Sequence, residues 1–217
     1  MQCTGANRLS QGRSRISPAS LTFGLFLALL PFIVSGCHRV MPVDTAPLDA
    51  AGMSYDAIQQ AKALKITASE VTELAKARQS GLSDAGCVGI LQIFHGRGQA
   101  FNAGDAAAGL IQAGMGEQSV LELARLKQLG IGEGELQAMR LAGLSDDIIL
   151  EVARQHAQGK AVLSGASLAE MKNTGMRNST LLELAQRGIP DSETNAIIAL
   201  RRRGANDAEI LRRFSGS

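Results

Sequence analysis

Apolar positions recur at helical rather than strand spacing along most of this chain. A helical pattern begins at Ser54, a capping residue, and runs to Leu64. Thr67 followed three residues later by Glu70 has the spacing of a capping box. The helix it opens carries Val71, Leu74, Ala75 and Arg78 at i, i+3, i+4 and i+7, and Gly81 stops it. Gly81-Leu82-Ser83-Asp84 recurs as Gly143-Leu144-Ser145-Asp146 and, in weaker form, as Gly204-Ala205-Asn206-Asp207, at spacings of 62 and 61 residues. Each copy predicts the end of one helix and the start of the next. Glycine suits the left-handed position that terminates a helix, and the aliphatic residue after it folds back on the last turn. Ser or Asn then caps the following helix, and the Asp falls in its first turn, where the helix dipole favours negative charge.

A second landmark has the same period. Gly114-Met115 matches Gly175-Met176, and Leu121-Glu122-Leu123-Ala124 matches Leu182-Glu183-Leu184-Ala185. One extra residue lies between Gly81 and Gly114 relative to the second copy. The repeat domain, 54–217, therefore reads as units at about 81–142 and 143–203, with a partial unit at 204–214. Each unit holds about four short helices, in the second at 146–158, 166–174, 178–187 and 191–203. Gly130-Ile131 and Gly188-Ile189 are further stops, and Pro190 suits a helix start. Helices this short are marginal alone in water, so they gain stability by stacking. The expected fold is all-α: tandem short-helix repeats of about 61 residues in a curved right-angle stack of helix pairs. Two compact four-helix units are the alternative. In the last helix Ile210, Leu211 and Phe214 form an apolar stripe, read as a cap on the array rather than a docking surface because Glu209, Arg212 and Arg213 make the rest of it polar.

Composition agrees with short packed helices. The 217 residues contain 24 Gly, one Tyr and no Trp, and such a length suits one or two domains.

Residues 1–36 stand apart from this pattern. Arg8, Arg13 and Arg15 make a basic start without Asp or Glu, followed by the apolar run Leu21 to Val34. That run is shorter than the ~20 residues of a membrane span and contains Pro31. A basic region, an apolar region and then small residues are the features of an export signal. Val34-Ser35-Gly36-Cys37 resembles the lipobox of bacterial lipoprotein precursors. The resemblance implies lipid on the Cys37 thiol, cleavage before Cys37 and acylation of the new amino terminus. Several acyl chains anchor stably where one is marginal. His38 after the cysteine implies outer-membrane sorting in a cell with two membranes. Residues 37–53, with two prolines among them, read as a lipidated Cys and flexible tether. Removal of the three signal arginines leaves 19 Lys and Arg against 20 Asp and Glu, a net charge of about −1. Near-neutrality gives no electrostatic argument for nucleic acid.

Few side chains invite a chemical role. Cys87 is alone in the processed chain and sits at the register of Ile149 and Ile210, a core slot. His38, His95 and His156 have no metal-ligand spacing, and a cation near a helix end is favourable in itself. Glu122 and Glu183 recur, but Arg125 and Arg187 follow at i+3 and i+4 and predict exposed ion pairs. His95-Gly96-Arg97-Gly98 lacks the strand and Lys of a phosphate loop. Ala77-x-x-x-Gly81-Leu82-Ser83 resembles the turn of a DNA-binding helix-turn-helix, yet Asp84, Asp146 and Asp147 would meet the phosphates. Arg201-Arg202-Arg203 reads as cations near a helix end, with contact to anionic headgroups or an acidic partner as the lesser reading.

No catalytic, cofactor-binding or metal-binding residue is assigned; the one site is Cys37, for lipid. The expectation is a membrane-anchored lipoprotein, not an enzyme, with a structural or protein-interaction role in the bacterial cell envelope. Its partners would be membrane lipid, through acylated Cys37, and an envelope protein. The alternatives are an envelope enzyme such as a cell-wall hydrolase and an accessory chaperone-like lipoprotein of a secretion or pilus system.

Overall fold

Ser54, Thr67, Ser83, Ser164 and Asn206 each accept a hydrogen bond from a backbone N–H three residues on, and a helix follows each of them. The computed structural model describes residues 43–130, 132–160 and 163–215. Among these are twelve α-helices: α1 (Ala46–Ala50), α2 (Tyr55–Ala63), α3 (Ala68–Gln79), α4 (Asp84–His95), α5 (Gly104–Gln112) and α6 (Glu117–Arg125), then α7 (Glu133–Leu141), α8 (Asp146–Ala157), α9 (Gly165–Asn173), α10 (Asn178–Gln186), α11 (Thr194–Arg202) and α12 (Asp207–Arg213). A 3-10 turn, Asp191–Glu193, leads into α11, where sequence predicted one unbroken helix. The described residues contain no strand.

The protein is all-α, an array built from helix pairs. Odd-numbered helices pack on odd-numbered neighbours and even on even, giving two rows. Each helix turns one apolar side to its partner and the flanks of that side to the helices two places away. In α8 this buries Ile148, Ile149, Leu150, Val152 and Ala153. One cluster of buried side chains runs from Leu48 to Ile210, so the array is continuous rather than divided into two four-helix units.

The structural unit is the pair, and the 61-residue period is two pairs. The second helices of successive pairs start at 55, 84, 117, 146, 178 and 207, steps of 29, 33, 29, 32 and 29. Units counted from Gly81 or Gly143 thus begin inside a pair, at its turn. The single extra residue falls just after α4. There the left-handed glycine, Gly98, comes three residues after the helix, whereas Gly159 comes two after α8; both have φ +67°.

A glycine with positive φ joins the two helices of every pair. At Gly143 (φ +80°) the N–H of Leu144 reaches back to the Met139 carbonyl at 3.2 Å, closing the last turn of α7 and tucking Leu144 into the core with no exposure. Gly143→Val should therefore destabilise more than Gly143→Asn, by about 1–2 kcal/mol, because Asn tolerates the left-handed region and a β-branched residue does not. Thermal unfolding of the two variants checks this; equal midpoints would refute it.

Three expectations are corrected. The second half of the tether read at 37–53 is folded: Thr45-Ala46-Pro47 starts α1, with proline in the first turn where its missing N–H costs nothing, and Leu48 and Met53 are buried. Ser145 begins α8 without a side-chain cap bond. His95 and His156, counted from sequence as equivalents, are the last residue of α4 and the last but one of α8. One position rotates a side chain by about 100°, so they face different surroundings. The apolar stripe of α12 is folded back as expected of a cap: Ile210 is buried, Leu211 and Phe214 pack on the core, and the Arg187 guanidinium donates to both their carbonyls. The basic start, the apolar run, the lipobox with Cys37, and His38 lie outside the described residues. No described helix is long and apolar enough to cross a membrane.

Candidate functional site

Most of the charged residues at the pair turns hold the array together. Arg78, Arg140 and Arg201 each lie three residues before a turn glycine. Each donates to the carbonyl just after its own glycine: Leu82 at 3.1 Å, Leu144 at 3.1 Å and Ala205 at 3.2 Å. Each also donates to the turn glycine of the preceding pair: Gly52 at 2.9 Å, Gly114 at 2.8 Å and Gly175 at 2.9 Å. The same guanidinium sits 3.0, 3.5 and 3.1 Å from Asp84, Asp146 and Asp207 respectively. A planar fork of five donors suits this clamp, and lysine would not replace it. Arg-x-x-Gly-[Leu/Ala]-[Ser/Asn]-Asp was thus the legible signal of the clamp, of which only the Gly-to-Asp part was read from sequence.

The first-turn aspartates do more than face their own helix dipole. Asp84 accepts from the Ser54 N–H at 3.1 Å, and Asp146 from the Gly116 N–H at 2.8 Å, capping the preceding helix of the even row. Asp207, 5 % exposed, accepts from Arg177 and Thr180, each at 2.8 Å. The bonds from Ser54 hold Asp84 below the usual carboxylate range. Burial pushes Asp207 up, but the bonds from Arg177 and Thr180 and the nearby Arg201 outweigh it and the net shift is downward. Links between the clamped double pairs differ: Glu117 accepts from the Ser83 N–H at 2.7 Å and its hydroxyl at 2.9 Å. At the next such link Asn178 stands in place of Glu117 and donates to the Gly143 carbonyl at 3.3 Å, so what recurs with the 61-residue period is the Arg–Gly–Asp clamp.

One carboxylate departs from this scheme. Glu70 has no solvent exposure. Its Oε2 completes the expected capping box, accepting from the Thr67 N–H and hydroxyl, each at 2.9 Å. Its Oε1 lies 2.6 Å from His95 Nε2 and accepts from the Phe101 N–H at 2.8 Å. Burial raises the pKa of Glu70, yet these bonds prevail and the net shift is downward. Glu70 thereby pins both ends of the segment 96–100, and Phe101 packs edge-on against Phe94 with ring centres 5.2 Å apart. Sequence found the capping box and His95 but not their connection, since nothing local reports a contact across 25 residues.

The pinned segment forms one wall of a cleft of ~580 Å³ whose other wall is the end of α6. Phe94, Ala124 and Leu129 supply apolar lining, and Arg97 and Lys127 supply cations. Arg97 Nη2 donates to the Arg125 carbonyl at 2.6 Å, which orients it at the C-terminus of α6. Lys127 follows that helix with φ +60°. A second cleft, of ~650 Å³, lies at the C-terminal end of the array beside Ile189, Glu193 and Phe214.

Cys87 is buried in its core slot, and burial pushes its thiol up to about 12, which keeps it protonated and inert. His156 is exposed. Glu122 pairs with Arg125 at 3.2 Å and Glu183 with Arg187, as the spacing predicted. Of the basic run, Arg201 is committed to its clamp, and Arg202 and Arg203 are exposed. The corner resembling a helix-turn-helix is the same glycine turn that recurs in all six pairs. Among the described residues no three His, Cys, Asp or Glu side chains converge on a point where a metal could sit. No protein-family model, curated protein or solved structure matches the chain.

Proposed function

We propose that this chain is a lipid-anchored protein of the bacterial cell envelope with a structural or protein-interaction role, attached through acylated Cys37 and sorted to the outer membrane where the cell has two. The observation that carries the reading is Val34-Ser35-Gly36-Cys37 at the end of a basic and then apolar leader. The array supports the second half of it. Arg78, Arg140 and Arg201, with Asp84, Asp146 and Asp207, join its helix pairs, as befits a repeat scaffold that presents an extended surface. α1 packs against α3, so the chain that can act as a spacer after Cys37 is the short stretch before Thr45.

Cys37→Ser should abolish incorporation of labelled palmitate in a bacterial host and leave the precursor at its unprocessed mass. Unchanged labelling in that variant would remove the anchored reading.

A further inference from the structure

The cleft between α4 and α6 lies where the first copy of the repeat departs from the second. Its lining carries two cations, Arg97 and Lys127, two amides, Gln99 and Asn102, and no carboxylate. At the joints between pairs, by contrast, Lys76, Arg78, Arg140, Arg177 and Arg201 each meet an aspartate.

Three departures from the second copy coincide here. The one extra residue of the repeat lies in Gly96-Arg97, between the end of α4 and Gly98, so it is this insertion that sets Arg97 at the cleft. Lys127 stands 61 residues before Gly188, with φ +60° against +67°, so a glycine serves this corner in the second copy; Lys65 takes the same φ 62 residues earlier, and Lys127 is the one of the two lysines that lines this cleft. Glu70, which pins the wall, stands 62 residues before Gly132, where no side chain exists to do the same. None of the three is required by the helix pairs, because the second copy forms them without it.

We propose that this cleft binds a small carboxylate on an apolar body. The head group lies between Arg97 and Lys127, and the body lies over Phe94 and Leu129. The volume is within the ~300–1,000 Å³ of ligand sites. Arg97 keeps N–H donors beyond the one given to Arg125, and a guanidinium fork matches a carboxylate in shape. Two cations, one of them already sharing a carbonyl, suit a single negative charge. Glu70 is a positioning residue: it holds the segment that carries Arg97 and Gln99 without touching the ligand.

The test is calorimetric titration of octanoate into residues 41–217, which form a compact unit by themselves. Octanol is the neutral comparison, and Arg212→Gln, an exposed cation on α12, the control variant. Saturable binding of octanoate but not octanol is expected. Arg97→Gln and Lys127→Gln should each weaken it about tenfold, the size of one charge-assisted hydrogen bond. Arg212→Gln should leave it unchanged. Circular dichroism melts of the same samples show that each variant is folded; Lys127 is exposed, so its replacement leaves the core intact. Absence of saturable binding, equal binding of octanol, or full affinity in both folded cleft variants would overturn the proposal.

Discussion

Alanine in place of Gly104 lowers the stability of the array by about 3 kcal/mol, at the upper end of overpacking costs. Gly104 opens α5 where it crosses the backbone of α3. A β-carbon there would lie 2.3 Å from the Glu73 carbonyl oxygen, 2.7 Å from its Cα and 2.8 Å from its carbonyl carbon. All three are main-chain atoms inside a helix, so relief requires the helices to part. The same glycine donates its N–H to Glu73 Oε2 at 2.8 Å, which parting would break. Gly165 is its counterpart 61 residues on, donating to Glu135 Oε1 at 2.5 Å. There the clashing atoms, at 2.7 to 2.9 Å, belong to the side chains of Glu135 and Met139, which can swing away. Gly165→Ala should cost less than Gly104→Ala. Gly134→Ala, with nothing within 4 Å, should raise stability by about 0.5–1 kcal/mol through helix propensity. Urea unfolding of the three variants gives the order, and a Gly104→Ala protein as stable as Gly134→Ala would refute the close approach of α3 and α5.

Removing the Glu70 carboxylate should cost about as much, roughly 3–5 kcal/mol for Glu70→Ala, because it strands buried partners rather than deleting one contact. The Thr67 and Phe101 N–H groups and His95 would lose their acceptor together. His95→Ala should cost less, since the two backbone bonds survive. Acid gives the same test without a mutation. Burial raises the Glu70 pKa but its hydrogen bonds lower it by more, so its folded value lies below the 4.5 of an unperturbed group. The stability it contributes is therefore fully present above that value and is lost as pH falls through the folded pKa. Asp84, Asp191 and Asp207 are shifted the same way, so the whole protein should weaken as pH falls through and below the usual carboxylate range. Urea midpoints measured at neutral and acid pH should fall less for Glu70→Ala than for the parent chain. An equal fall would show that Glu70 is not held ionised by this network.

What sequence alone determined are the features that local chemistry decides. Gly81, Gly143 and Gly204 terminate helices at φ +108°, +80° and +92° because only a residue without a β-carbon adopts that conformation freely. Thr67 and Glu70 form their capping box because both partners lie within one turn. The helices predicted at 146–158, 166–174 and 178–187 formed at 146–157, 165–173 and 178–186 because capping and periodicity act over a few residues. The all-α class and the core place of Cys87 follow from the same periodicity. Tertiary structure alone decided everything that depends on partners about 25 or more residues away. It made the helix pair the unit, because a pair's second face is covered by the next pair and not by its own sequence. It turned Arg78, Arg140 and Arg201 into clamps by bringing the preceding turn's carbonyl within 3 Å. It folded residues 46–50, which look like linker, because Leu48 has a place to go on α3. And it joined Glu70, His95 and Phe101 into the pin beside the cleft: a hydrophobic period says which side of a helix is buried, but not which polar groups meet when it is.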